Sequence, residues 1–377
     1  MVKSWVPSDI KSYNNRIVFE TVRRCGQIVR TDIARQTGMS APTVLKVVQG
    51  FIDKGILLPS GEAETALGRK PLLLRFNPDA LYTVGINFEG DHLSVALVNL
   101  AGDIHRVIRR RVPHTFDMGT ADVIVKTISR LYTDYSCARE RTVAIGIGIP
   151  GIVDMTGPTI AFAPLIGIHS PMDAQPVLAA IQTGAGLPVF VENDVNAAAI
   201  GETVVRKMGS DGDLLYVSLG TGLGAGIILG GALRRGRRSM AGEIGYTVYD
   251  PTLAVDQRGA GWLESQVNLQ ALKDRFGFDP DDGEAPQEMV QYVAATLAPA
   301  IVNLATQLDM DLVVLGGIVA EHLGCRLASA LQSAADTLCI NPLRIERPGS
   351  DEPGVLGAAA LAAESVLDDI LNTREGT

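Results

Sequence analysis

The chain has 377 residues, 46% of them apolar and 20% charged, with 40 glycines and a formal net charge of −9. That length exceeds one ordinary hydrophobic core and implies two or three domains, and the composition excludes an intrinsically disordered chain. The four cysteines (Cys25, Cys137, Cys325 and Cys339) are scattered without a CxxC pair, which argues against a disulfide framework and for free thiols in a reducing cytoplasm. The opening "MVKSWVPSDIKSYNNR" lacks the apolar centre of a signal peptide. No uninterrupted apolar run reaches the roughly 18 residues of a membrane span. The expectation is a cytoplasmic, soluble protein with no membrane partner.

Charge is uneven along the chain. Residues 1–78 carry 12 Lys and Arg against 6 Asp and Glu, and the remainder carries 21 against 36. A basic head on an acidic body points to a polyanionic partner for the head alone. In "NNRIVFETVRRCG", Ile17, Val18 and Val22 stand at helical spacing and Gly26 supplies a stop. Thr31 is placed to cap a short second helix carrying Ile33 and Ala34, and "TGMS" turns at Gly38. Ser40 then caps a third helix with Pro42 in its first turn, and Val44, Leu45, Val48, Phe51 and Ile52 form its inward stripe. Two short helices around a glycine turn read as a helix-turn-helix. Ser40, Ala41, Pro42 and Thr43 then face base edges, Lys46 lies near phosphate, and Thr31 opens the preceding helix. Two short strands flank "SGEAETALGRKP" as a β-wing, with Arg69 and Lys70 in reach of a minor groove or phosphate. The competing reading is a three-helix protein-interaction module with a hairpin; charge, cap, turn and wing together favour DNA.

From residue 79 the pattern changes. "LYTVGINFEGDHLSVALVNLAGDIHRVIRRRVP" gives three strands with a turn at Ala101–Gly102–Asp103, and "MGTADVIVKTISRLYTDYSC" an amphipathic helix. "TVAIGIGIPGIVD" is a buried strand ending in a Gly/Pro loop that contains Gly151, and "PVFVEND" is a strand leading into the helix "VNAAAIGETVV". "DLLYVSLGTGLGAGIILGGAL" is two strands around a glycine-rich turn, and "DLVVLGGIVAEH" a strand, glycines and a helix. The apolar face of "EMVQYVAATLAPAIVNLATQLDMD" is core or subunit interface, with core favoured. The Ala-rich helix "PGVLGAAALAAESVLDDILN" returns to the first lobe. Two rounds of strand–strand–strand–helix describe a two-lobed α/β fold with its ligand in the cleft.

Four stretches, "GIGIPGIVD", "VENDVNAAAIGE", "SLGTGLGAGIILGG" and "AGEIGYTVYD" with "GAGWLES" downstream, resemble the ROK family of repressors, open reading frames and kinases. The resemblance implies a winged helix-turn-helix joined to an actin/hexokinase-type (ribonuclease H-like) ATPase fold. The expected domains are 1–78, then a first lobe of 79–190 plus 358–377, then a second lobe of 191–357. It also implies sugar contacts at Asn193, Asp194, Glu243 and Glu264, with Gly151 and Tyr246 on the wall. Carboxylates and an amide suit adjacent hydroxyls, and leaving such groups unpaired discriminates against wrong ligands. The bland alternative for each is a strand-end or cap group satisfied by backbone.

The family's kinases carry an Asp-x-Gly-Gly-Thr-type turn after the first strand. Here "INFEGDH" stands there, with Asn87 for the metal-associated Asp and Glu89, Gly90 and Asp91 for the turn. Acidic side chains at that place repel a triphosphate. Asp194, the kinase-base equivalent, is therefore expected to accept a sugar hydroxyl without catalysis, and ATP is not expected. The family's zinc ligands are replaced together by Tyr246, Val255, Gln257 and Trp262, so no zinc is expected, with Trp262 and Tyr246 packing in its place. The loop "APLIGIHSPMD" lacks the usual Asn and Trp, and its His169 is read as a surface residue. The expectation is a sugar-responsive DNA-binding regulator, a repressor by preference, acting as a homodimer or homotetramer on operator DNA. A sugar kinase with an appended DNA-binding domain and an interaction protein with an idle cleft are the alternatives.

Overall fold

The computed structural model describes residues 7–62, 71–89, 92–112, 115–133, 135–154, 157, 159–163, 166–249, 260–280 and 283–373. The wing residues Arg69 and Lys70, and Gly90, Asp91, Val255 and Gln257, lie outside them.

The head runs α1 (Pro7–Cys25), β1 (Gln27–Val29), α2 (Arg30–Thr37), α3 (Ala41–Asp53), β2 (Leu57–Glu62) and β3 (Leu72–Phe76). Its sheet has the order β1-β3-β2, antiparallel throughout. The strand β1 is too short, at three residues, to show a period of two in the sequence. Phe19 anchors the core with its ring edge-on to Phe51 and Phe76, at centroid distances of 6.4 and 6.0 Å. Ser40 caps α3, accepting from the Thr43 amide at 3.4 Å, and Pro42 lies in the first turn. Replacing Ser40 with Ala is expected to lower head stability by ~1 kcal/mol, the usual worth of such a cap, in a thermal melt.

Two details of the head differ from the sequence reading. Val29, not Thr31, holds the N-cap position of α2, with no side-chain bond, and Thr31 sits exposed in the first turn. Leu45 is 49% exposed: Val44, Val48 and Phe51 are buried and Ile52 packs against the same core, whereas Leu45, one step from Val44, is rotated off that face.

The first lobe comprises β4 (Tyr82–Glu89), β5 (His92–Asn99), β6 (Ile104–Arg111), α4 (Met118–Leu131) and β7 (Thr142–Ile149). A small three-stranded sheet follows, of β8 (Ile152–Asp154), β9 (Thr159–Phe162) and β10 (Met172–Asp173). Then come α5 (Gln175–Ala185), β11 (Val189–Asn193) and α6 (Asp194–Val205). The second lobe holds β12 (Leu214–Leu219), β13 (Leu223–Leu229), β14 (Ala232–Leu233), α7 (Trp262–Val267), α8 (Leu269–Phe276), α9 (Gln287–Leu308), β15 (Leu312–Gly316), α10 (Ile318–Leu338) and β16 (Arg344–Glu346). The helix α11 (Pro353–Asn372) ends the described chain.

The two main sheets repeat one plan. Each has an antiparallel meander (β4-β5-β6, β12-β13-β14) extended by two parallel strands, in the orders β11-β7-β4-β5-β6 and β14-β13-β12-β15-β16. Their last helices are exchanged: α6 leaves the first sheet and lies on β12 and β13, whereas α11 leaves the second and lies on β4 and β7. At the crossing, small residues bring backbones into contact. A Cβ on Gly357 would stand 1.6 Å from the Ala197 carbonyl oxygen, and one on Gly201 would stand 2.0 Å from that of Pro353. Near the boundaries expected at 190/191 and 357/358, β11 runs to Asn193 and α11 begins at Pro353.

Among the described residues, α9 is the one helix long and apolar enough to cross a membrane. Its Met289, Val293, Leu297 and Ile301 are buried in the second lobe's core, the role favoured by the sequence.

Candidate functional site

The cleft is built on the junction of β11 and α6. Asn193 caps α6: its Oδ1 accepts from the Asn196 amide at 2.9 Å, and its Nδ2 donates to the Gly151 carbonyl at 2.9 Å and to Asp194 Oδ1 at 3.1 Å. Asp194 Oδ1 also accepts from the Val195 amide at 2.9 Å. Among the described residues Asp194 Oδ2 carries no hydrogen bond, so one carboxylate oxygen is oriented and the other is free for a ligand. Asn193 and Gly151 position this site through bonds to each other.

Three acidic side chains converge here. Burial raises the Asp194 carboxyl from 3.8 to about 6, although the Val195 amide pulls it back down. Burial also raises Glu243 from 4.5 to about 7, with repulsion from Glu264 and then Asp194 adding to it. Glu264, on the first turn of α7, accepts from the Leu223 amide at 3.1 Å and so braces the glycine-rich turn between β12 and β13. The structure thus brings together Asp194, Glu243 and Glu264, which are separated by up to 70 positions in the sequence. Tyr246 stands at the end of the short turn Ile244–Tyr246, 38% exposed, and His169 is an exposed loop residue.

A second layer was missed by the sequence reading. Glu192 is 2% exposed; its Oε1 accepts from the Asn193 amide and Asn196 Nδ2 at 3.0 and 3.1 Å, and its Oε2 from Arg235 Nε at 2.7 Å. A charge at the end of the apolar strand "VFVEN" required a buried partner, and the arginine run 234–238 was the available signal. Glu202, fully buried, similarly holds Arg206 Nε at 2.8 Å and the Gly349 amide at 2.9 Å, while Arg206 reaches Glu346 at 2.6 Å. This network fastens α6 to the segment that leads into α11.

The candidate DNA face is on the head. Ser40, Ala41, Pro42 and Lys46 are exposed on the first turns of α3, and Thr43 is half-buried with its hydroxyl 2.9 Å from that of Ser40.

A family model described as ROK matches residues 83–365. The chain belongs to the ROK family. It is 28% identical over 253 residues to the xylose repressor of Bacillus subtilis (strain 168), a match that covers 66% of this chain and 65% of that relative's length. Its fold matches a ROK family transcriptional regulator described as a homologue of E. coli MLC protein, with a TM-score of 0.77 at 21% identity, covering 96% of this chain, head included, and 98% of the other. A ROK family glucokinase from Streptomyces griseus, solved with glucose and AMPPNP, matches the body with a TM-score of 0.61 at 27% identity, over 75% of this chain and 99% of the kinase.

Asn87 is the residue that the sequence reading put in the place of a kinase's metal-associated Asp. Asn87, near the end of β4, is wedged between Gly148 and Gly354, where added Cβ atoms would lie 2.4 Å from its Oδ1 and 2.6 Å from its Nδ2. That Oδ1 is buried with no hydrogen-bond partner. Of the four positions aligned with the family's zinc ligands, Tyr246 and Trp262 are described. Trp262 packs edge-on against Tyr249, with centroids 5.3 Å apart. Gly261 lies close on Gly245, an added Cβ falling 2.1 Å from its carbonyl oxygen.

Proposed function

We propose that this protein is a DNA-binding transcriptional regulator, a repressor by preference, whose kinase-like body binds a sugar as effector without phosphorylating it. The observation that carries this reading is the pairing of an exposed, Ser40-capped α3 with a cleft holding Asp194, Glu243 and Glu264. The repressor and regulator names of its relatives support it. The carboxylates accept hydroxyl hydrogens, and the domain that carries them is free to close on a ligand as two-lobed folds do. Sequence-specific binding to two half-sites calls for at least a dimer.

Neither zinc nor ATP belongs to this reading. Tyr246 and Trp262 bring no imidazole or thiolate to a zinc site. A Mg²⁺-nucleotide needs an anionic ligand where Asn87 offers a neutral amide. The kinase alternative keeps two observations in its favour: Asp194, raised to about 6, suits a general base, and the glycine turn of residues 220–224 is intact. Incubation with ATP-Mg²⁺ and a panel of aldoses is expected to give no sugar phosphate; sustained turnover would establish the kinase instead. In the same panel a binding sugar raises the melting temperature. Asp194→Asn is expected to weaken that sugar by about 1–3 kcal/mol, roughly 5- to 150-fold in Kd by calorimetry, with DNA affinity of the sugar-free protein unchanged.

A further inference from the structure

We propose that α11 is the coupling rod between the cleft and the DNA-binding head, with Lys54 and Asn15 as positioning residues that fix the head to it. This rests on the DNA-binding reading above. The helix is 20 residues long, so it spans about 30 Å. At its N-terminal end it is locked to the cleft: Gly354 presses on Asn87, and Gly357 meets Ala197 of α6, the helix that begins with Asp194. Backbone lies on backbone there, so α6 and α11 have no soft side chains between them to absorb a shift.

The C-terminal end of α11 is built into the head. Leu367 and Leu371 belong to the head's own core, with Val18, Phe19 and Phe51. The last carbonyls of the helix, which have no intrahelical partner, are satisfied by head side chains. Lys54 Nζ donates to the carbonyls of Leu371, at 3.0 Å, and of Ile370; Asn15 Nδ2 donates to the Leu371 carbonyl at 3.0 Å; Lys11 Nζ donates to that of Asn372 at 2.9 Å. Two ammonium groups also complement the negative end of the helix dipole. Arg16 adds ion pairs to Glu364 and Asp368.

Lys54 is decisive because it is the C-cap residue of α3, the helix whose other end presents Ser40–Thr43. One helix therefore joins the end of the recognition helix to the start of the sugar-binding helix. Shifting α6 on ligand binding must shift α11, and with it the angle at which α3 is held.

Coupling between two sites is reciprocal, so DNA on the head must be felt in the cleft. Hydrogen–deuterium exchange of the full chain is measured with and without a 40-base-pair mixed-sequence duplex at low salt. In the wild type, amides of α3, of the last turn of α11 and of α6 (Asp194–Val205) are expected to exchange more slowly with DNA, by ~5-fold or more. In Lys54→Met, which keeps the aliphatic stem, protection of α3 is expected to persist and that of α6 to vanish. The salt dependence of DNA binding should stay the same in that variant, because Lys54 binds carbonyls rather than phosphate. Asn15→Leu provides a second test should Lys54→Met melt the head. Protection confined to the head in the wild type would overturn the rod while leaving DNA binding in place. No protection of the head at all would remove the DNA-binding reading, and the rod with it.

Discussion

Arg235→Met is expected to lower the stability of the body by about 3 kcal/mol and to abolish measurable sugar binding, read from chemical denaturation and calorimetry. Removing one member of a buried ion pair strands the other, at a typical cost of ~3–5 kcal/mol. Here Glu192 is almost wholly buried, whereas the Arg235 side chain is 32% exposed, so the lower end of that range applies. Two other donors remain, the Asn193 amide and Asn196 Nδ2, and they too keep the loss at that lower end. The binding defect has a separate cause. Glu192 holds the Asn193 amide, Asn193 holds Asp194, and a stranded Glu192 that turns toward water takes that alignment with it. Glu192→Gln with Arg235→Met should recover much of the stability, since two neutral groups leave no buried charge. A single Arg235→Met variant with wild-type stability would show that the pair is a surface decoration.

The sequence made the architecture legible because each element carried a local signal. Ser40, Pro42 and Gly38 marked α3 by cap, first-turn proline and αL glycine, and the alternation of apolar runs marked the two sheets. The candidate ligand residues stood out through resemblance and chemistry, since Asn193–Asp194 close an apolar strand and open a helix. What escaped were pairings that depend on tertiary placement. Nothing within "VFVEND" names Arg235 as the partner of Glu192, because 43 residues and a lobe boundary separate them. The exchange of α6 and α11 was equally hidden: the glycines 201 and 357 that permit it look like any others in an Ala-rich helix. Leu45 failed for a simpler reason, since a stripe read from apolar identity alone takes in a neighbour that the 100° step turns to solvent.

A pH dependence is expected to follow from the same carboxylates. The folded protein holds the protons of Asp194 and Glu243 up to about 6 and about 7, against ordinary values of 3.8 and 4.5. A folded pKa above the unfolded one means that the stability tied to the proton is fully present below about pH 4 and is lost as pH rises through 6 to 7. Each shift corresponds to roughly 3 kcal/mol at ~1.36 kcal/mol per pKa unit. Both groups border the cleft and share their repulsion, so the combined loss is on the order of 2–3 kcal/mol rather than the sum. The sugar-free protein should therefore melt at a lower temperature at pH 8 than at pH 5.5. A sugar acts in the opposite direction. Hydroxyl groups donating to the carboxylates favour their charged forms, so the thermal shift produced by a binding sugar grows with pH. Glu243→Gln isolates the effect, because it keeps the size and removes the titration; it should flatten the slope of stability between pH 5.5 and 8. Equal slopes in Glu243→Gln and the wild type would mean that Glu243 is solvated and that the three side chains do not share one desolvated cleft.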